Sequence, residues 1–339
     1  MSTPERQRAI VMTGPGEPVR TVERPVDEPG PGQVLVKVNA SSLNFHDNVN
    51  LTGLLPGPWP RVPMTDGAGE VVAIGPGVDE LRSGDRVMGA FHPGWHDGLP
   101  TPEAKHEVPG DNCDGWLQQY RVADVTGLVR TPEHLSDVEA ATIPCAGVTA
   151  WSALVEANIG EGDVVVTQGT GGVSLFAVQL ARTRGATVIL TSSSDGKLKV
   201  GSDLGATHLV NYRTNPDWET EVKRLTDGRG AKLVVDLGGP ATLAHSLHSA
   251  AMGGTIAVIG VLSGFDMASI AVAEVMLNNL RVIGITVGSV RAHREMCEVV
   301  SKAGIKPQIS HVFDWEQLDE ALRVMRAGEH VGKIALTIP

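Results

Sequence analysis

TQGTGGVSLF, residues 167–176, lies between the apolar run DVVV (163–166) and AVQLARTRGA (177–186). A strand running into a helix through Gly169, Gly171 and Gly172 matches the opening of the dinucleotide fingerprint G-x-G-x-x-G. Ser174 stands where the last glycine belongs. Gly169 supplies the tight turn, and Gly171 and Gly172 let backbone approach phosphate oxygens at a helix N-terminus. The third glycine serves helix–strand packing, and serine is the next smallest residue that adds a hydroxyl. The competing reading is a plain strand-to-helix corner with no ligand. The βαβ context favours the phosphate turn, with Gly169, Thr170, Gly171, Gly172 and Val173 against a pyrophosphate.

Working outward, residues 143–288 alternate strand and helix. The pattern predicts strands at 163–168, 187–191, 207–210, 232–236, 255–260 and 281–287. Helices are predicted at 173–184, 196–204, 216–227, 241–251 and 268–278. Continuous apolar strands between helices imply a parallel sheet covered on both faces, here a doubly wound α/β unit. Its binding crevice lies at the carboxyl ends of the strands. Before residue 143 the character differs. Short β-rich runs, QVLVKVNA (33–40), GAGEVVAIG (67–75) and GDRVMGAF (84–91), alternate with Gly/Pro clusters and read as a compact β-domain with long loops. The segment 92–116 has no periodicity and reads as an ordered lobe or a substrate-side loop, with Trp95 and Trp116 shaping a pocket. The tail from 289, two helical runs and the strand GKIALTIP, returns to the first domain. The expected domains are 1–142 with 289–339, and 143–288.

The end of the second nucleotide-domain strand bears on the choice of dinucleotide. An acidic residue about 20 positions beyond the glycine turn receives ribose hydroxyls in NAD-binding domains. Here TSSSDGKLK (191–199) offers Ser192, Ser193 and Lys197, which suit a 2′-phosphate and hence NADP(H). A serine cap with an exposed lysine is the alternative. Asp195 is the candidate N-cap of the next helix. Turned inward, it would favour NAD instead.

Composition narrows the rest. Of 339 residues 42% are hydrophobic and 20% charged, and the net charge is −11. That describes a globular chain and disfavours nucleic-acid and anionic-membrane partners. Cys113, Cys145 and Cys297 form no C-x-x-C pair, which suits a reducing cytoplasm. MSTPERQRAI carries no apolar signal core, and no run approaches the roughly 18 apolar residues of a membrane span. The expected location is cytoplasmic.

SSLNFHDN, PMTDGAGEVVAIGPGV, GDRV, AATIPCAGVTAWSAL, QGTGGVSLFAVQLA and GATHLVNYRT, in that order, resemble the medium-chain dehydrogenase/reductase superfamily, and within it the zinc-independent, quinone-oxidoreductase-like and alcohol-dehydrogenase-like branch. The resemblance covers nearly the whole chain. It implies a GroES-like β-rich catalytic domain plus a Rossmann domain. Where zinc-dependent relatives carry a cysteine and a His-Glu pair, this chain has Asn44 and Thr65-Asp66. Cys145 alone keeps a ligand-like place. One thiol with an amide and a hydroxyl is a poor zinc site, so no metal ligands are assigned. His46, His92, His96 and His106 read as solvent-facing or loop-bonding residues.

By the same resemblance, Asn44, Asp47 and Thr149 line a cleft beside the nicotinamide. Asn44 either donates its amide to a carbonyl or quinone oxygen or satisfies loop backbone. Asp47 either orients neighbours, handles a proton, or caps a helix. Tyr212 lies by the adenosine phosphate or is a plain packing tyrosine, Gly260, Val261 and Leu262 lie by the nicotinamide ribose, and Lys333 either approaches the cofactor from the tail or is an exposed strand lysine. The implied activity is NADPH-dependent hydride transfer to a quinone, enone or related conjugated carbonyl. An alcohol/aldehyde dehydrogenase acting on a simple carbonyl and a non-enzymatic NADPH-binding protein remain as alternatives. LRVIGITVGS (280–289), at the expected sheet edge, suits pairing into a homodimer.

Overall fold

The computed structural model describes residues 4–54, 57–265 and 270–339. Residues up to Val148 together with Gly288–Pro339 form one compact unit, and Thr149–Val287 form another. The fold is α/β, a GroES-like β-rich unit and a Rossmann-like unit.

In the first unit the apolar, β-branched run Gln33–Leu43 forms the strand around which the sheet is built. It pairs antiparallel with Asp66–Ile74, Tyr120–Asp124 and the returning Lys333–Thr337, and Ile309–Asp314 extends the sheet beyond that last strand. Two registers set the positions of the polar residues at the strand ends. Ser42 lies opposite Asp66, and Ile334 lies opposite Leu43. The residues just past these pairs, Asn44, Thr65 and Lys333, therefore gather at one end of three strands. Gly332 fixes the entry of the last strand. Its φ is +78°, and a Cβ there would overlap the Gln308 backbone, whose carbonyl accepts the Lys333 N–H at 2.9 Å.

Segment 92–116 is an ordered lobe of turns. Val290 and Arg291 donate backbone N–H groups to Trp95 O and His96 O at 2.8 and 3.0 Å, and Trp116 donates to Met64 O at 2.9 Å. Trp116 does not shape a pocket. It is 1% exposed and fills the core, with Gly67 and Gly89 beneath its ring. The indole occupies the volume that any Cβ at those glycines would need.

The second unit holds six parallel strands in the order His208–Asn211, Thr187–Ser192, Val164–Gln168, Ala231–Asp236, Ala250–Val258, Arg281–Gly284. This is the doubly wound order 3-2-1-4-5-6, with the switch point between the strands ending at Gln168 and Asp236. Several boundaries differ from the periodicity. The strand expected at 255–260 begins at Ala250, directly from the helix Leu243–Ser249, and ends at Val258. The last strand stops at Gly284, and Val287 beyond it has φ +63°, which no strand accommodates. Of the helix expected at 268–278, residues 268–269 lie outside the described residues, and the rest is observed as Val272–Leu277. Residues 1–3, the start of MSTPERQRAI, also lie outside them.

Replacing Gly89 by Ala forces a methyl group into the Trp116 indole. We expect a loss of about 1–3 kcal/mol in unfolding free energy, the usual range for overpacking. Urea denaturation followed by Trp fluorescence measures it, and unchanged stability would mean that the indole can move aside.

Candidate functional site

The turn after Val164–Gln168 has the geometry the glycines require. Gly169 sits at φ +74° and donates its N–H to Thr191 O at 2.8 Å, tying the turn to the neighbouring strand. The helix Gly172–Thr183 starts with Gly171 as N-cap, and no side chain caps it. A Cβ at Gly169 or Gly171 would project into open space. Ser174 is fully buried and donates its hydroxyl to Gln168 O at 2.5 Å. The serine thus stitches the helix to the strand end and stays clear of the cradle. Thr170 is buried beside it.

Sequence reasoning missed a network under this turn. Asp236, fully buried, accepts from Gly239 N and Thr242 Oγ1 at 2.9 Å each and from Ser246 Oγ at 2.5 Å. Gln168 Nε2 reaches Ser246 Oγ at 2.7 Å, and its Oε1 accepts from Leu237 N at 3.2 Å. These contacts join the two strand ends that flank the switch point. The signal was a polar residue terminating each apolar run, VVVTQ and KLVVD. Gly260, Val261 and Leu262 lie in the loop after Ala250–Val258. Gly260 N donates to Asp236 O at 3.2 Å, and Leu262 is 59% exposed.

At the second strand's end, Ser192 is buried and Ser193 half-buried. The N-cap of the next helix is Ser194, whose hydroxyl accepts from Lys197 N at 3.4 Å. Asp195 is therefore the first helical residue, and its Oδ1 accepts from Asn211 Nδ2 at 2.8 Å. Tyr212 is 41% exposed and donates its backbone N–H to Ser192 O at 3.0 Å. Thr149 is buried in the helix Val148–Glu156.

In the first unit the gathered strand ends form a buried polar cluster. Asn44 and Asp47 make a capping box at the helix Phe45–Leu51. Both Asp47 oxygens accept backbone N–H groups, from Asn44 at 2.8 Å and Thr65 at 2.9 Å, so this carboxylate binds the helix start to the facing strand. Asn44 Nδ2 donates to Thr65 Oγ1 at 3.2 Å, and Asn44 Oδ1 accepts from Lys333 Nζ. Lys333 is 4% exposed, bonds Leu43 O at 2.7 Å, and lies 3.9 Å from Asp66 Oδ2. Lys333 is not the exposed strand lysine that was one of its two readings, and its ammonium is enclosed beside Asn44, where the Ile334–Leu43 register turns it. Asp66 accepts from Ser42 Oγ at 3.3 Å and from Cys145 N at 3.4 Å, the latter delivered by a wide π-type turn over Ile143–Gly147. Burial pushes the Asp66 carboxyl up to about 6, against the pull of Lys333 and the Asn44 amide. Burial, aided by Asp66, also pushes the Cys145 thiol far up. His46, expected to be solvent-facing or loop-bonding, pairs its Nε2 with Asp111 of the ordered lobe at 2.7 Å.

A zinc ion implied by the family fits this cluster poorly. The Lys333 ammonium already sits against Leu43 O and Asn44 Oδ1, and its charge opposes that of a second cation. Among the described residues no group of three or more His, Cys, Asp or Glu is arranged to hold a metal.

Residues 30–133 match the alcohol dehydrogenase GroES-like domain, and residues 172–302 match the zinc-binding dehydrogenase domain. The zinc-type alcohol dehydrogenase-like protein C1773.06c of Schizosaccharomyces pombe is 40% identical over 91% of this chain and 91% of its own. The chain belongs to the medium-chain dehydrogenase/reductase superfamily. This membership makes it an oxidoreductase with a nucleotide-binding fold. A solved Sinorhizobium meliloti 1021 protein, provisionally named an alcohol dehydrogenase, superposes with TM-score 0.94 at 38% identity, covering 99% of this chain and 100% of that one. The acryloyl-coenzyme A reductase of Metallosphaera sedula is 27% identical over 97% of this chain and 99% of its own. Among the described residues no helix is long and apolar enough to cross a membrane.

Ser174→Ala removes the bond to Gln168 O and leaves the cradle untouched. We expect about 1 kcal/mol less stability, with the dinucleotide dissociation constant within about twofold of the parent value. Calorimetry on both properties tests this, and a collapse of dinucleotide affinity would place Ser174 in the cradle itself.

Proposed function

We propose that this chain is a zinc-independent, NADPH-dependent reductase of a quinone, enone or related conjugated carbonyl. The carrying observation is Asn44, 7% exposed, with its amide oxygen fixed on the Lys333 ammonium and its amide nitrogen turned as the donor end toward Thr65 and Asp66. A bound reduced nicotinamide supplies hydride. The uncapped turn at 169–173 holds the pyrophosphate, with Gly260, Val261 and Leu262 by the ribose and Thr149 by the nicotinamide. Asn44 donates to the acceptor oxygen as negative charge develops there, and Asp47 keeps Asn44 and Thr65 in register. Preorganised donors of this kind suit acceptors whose conjugation spreads the incoming charge, so no Lewis acid is required. The acryloyl-coenzyme A reductase among the relatives supports a conjugated acceptor. Reduction of a simple carbonyl is the second reading, favoured by the relatives named for alcohol dehydrogenase.

The reading extends to a cytoplasmic homodimer. Arg281–Gly284 is an edge strand of the described sheet, and Met252, Val272, Met276 and Leu277 of the same unit are exposed, an apolar margin that a second copy would cover.

Asn44→Ala should lower kcat about 100-fold or more, as loss of an oxyanion donor does, while cofactor affinity holds. Steady-state turnover against quinones, enones and simple aldehydes, with product analysis, tests the reading. Parental kcat assigns Asn44 to loop structure, and products reduced only at C=O select the second reading.

The preference for NADPH rests on Ser192, Ser193 and Lys197, with Tyr212 beside them. Asp195 is engaged by Asn211, so the strand end presents hydroxyls to the 2′-phosphate. Lys197→Ala should cost NADPH about ten- to a hundredfold in KM, the equivalent of one charge-assisted bond, with NADH nearly unchanged. Equal losses for both cofactors would mean that Lys197 supports the fold. A parental preference for NADH would overturn the assignment.

A further inference from the structure

Lys333 is a costly side chain to bury. An ammonium at 4% exposure gives up its hydration, and its nearest carboxylate oxygen is 3.9 Å away, beyond hydrogen-bond reach. It makes two hydrogen bonds, to Leu43 O and Asn44 Oδ1. An apolar residue would pack the same strand position more cheaply. The distinctive result of the lysine is the orientation of one amide. Asparagine's two ends are alike in shape, so an amide held only by hydroxyls can turn either way. An ammonium carries donors alone. Facing it, Asn44 must present Oδ1, and Nδ2 must point away.

We propose that Lys333 is a positioning residue for reduction, its buried ammonium locking the Asn44 amide with Nδ2 as donor to the acceptor oxygen. This inference rests on the proposed role of Asn44 as donor to that oxygen. The lock is assembled from three distant pieces of chain. Gly332 sets the entry to the last strand, the Ile334–Leu43 pair sets its register, and the Leu43 carbonyl takes one ammonium proton so that another meets Asn44. Thr65 Oγ1 takes one Nδ2 hydrogen at 3.2 Å and holds the amide plane from the other side. The second Nδ2 hydrogen, which faces the Asp66 carboxyl, is the one assigned to the acceptor, so the acceptor oxygen competes with that carboxyl for it. The positive charge behind Oδ1 also polarises the amide, which strengthens Nδ2 as a donor.

The test pairs Lys333→Met with Asp66→Asn, so that the carboxyl nearest the lysine loses its charge together with it. In this double variant we expect kcat to fall about 10- to 100-fold, the range for a misoriented reacting partner. The dissociation constant for NADPH, by fluorescence, and the KM for the acceptor should each stay within about threefold. Added to Asn44→Ala, the same pair of changes should slow turnover no further, because the lysine acts through the asparagine. Parental kcat in a folded double variant overturns the proposal. So does a triple variant whose loss is the full product of the separate losses. Asn44→Ala at parental kcat would instead sink the reading of Asn44 itself. Should the lysine variants not fold, Asn44→Asp reads the same point with Lys333 in place. A carboxylate keeps the bond to the ammonium and loses both Nδ2 hydrogens. Parental turnover in Asn44→Asp overturns the lock, because no oriented Nδ2 donor would then be needed, and turnover as low as in Asn44→Ala upholds the donor on which the lock acts.

Discussion

The strand Gln33–Leu43 carries the first unit, and its register is the constraint on which the polar cluster depends. It pairs with three other strands, and a slip of one residue on either flank would turn alternate side chains to the opposite face. Asn44, Thr65 and Lys333 lie far apart in sequence and meet only because Ser42 faces Asp66 and Leu43 faces Ile334. Backbone pairing, continued to the strand ends, does the work that a metal ion does in a coordinated site. It holds several polar groups at fixed distances with their polarity defined.

The second unit achieves a comparable result by different means. Its cradle is backbone, shaped by Gly169 and Gly171, and its rigidity comes from buried side chains behind the turn. Ser174 fastens helix to strand, while Gln168 and Asp236 fasten the two strands at the switch point. Among the described residues no cationic side chain pairs with the Asp236 carboxylate. Its oxygens are occupied by hydroxyls, a backbone N–H and an amide, which together satisfy it without an ion pair.

Most of the architecture was legible in the sequence because it follows local rules. Glycine spacing located the nucleotide turn, continuous apolar runs marked the parallel strands, and alternating β-rich runs with Gly/Pro punctuation marked the other unit. Asn44 and Asp47 were legible as site candidates from their motif. The engagement of Lys333 was not, since a lysine in GKIAL looks like an exposed strand residue until the register is known. A serine cap stood beside Asp195 as an open alternative, and Ser194 takes that place because both are good caps and only the backbone decides between them. Trp116 read as a pocket residue in an irregular segment. Its role in the core depends on Gly67 and Gly89, two glycines on strands that give no sign of a ring above them. In each miss the deciding partner was remote in sequence.

Every member of the Asn44 cluster belongs to the first compact unit, while the glycine cradle and its supporting network belong wholly to the second. Each set of contacts closes upon itself. Inheritance can therefore treat them as separate cassettes. A lineage can exchange the second unit without breaking the bonds that fix the Asn44 amide, and the joints for such recombination lie beside Val148 and Val287. The first unit, by contrast, is interrupted in sequence. Its last strand must travel with its first, so a graft that takes residues up to Val148 and leaves the tail behind would carry Asn44 without the charge that sets it.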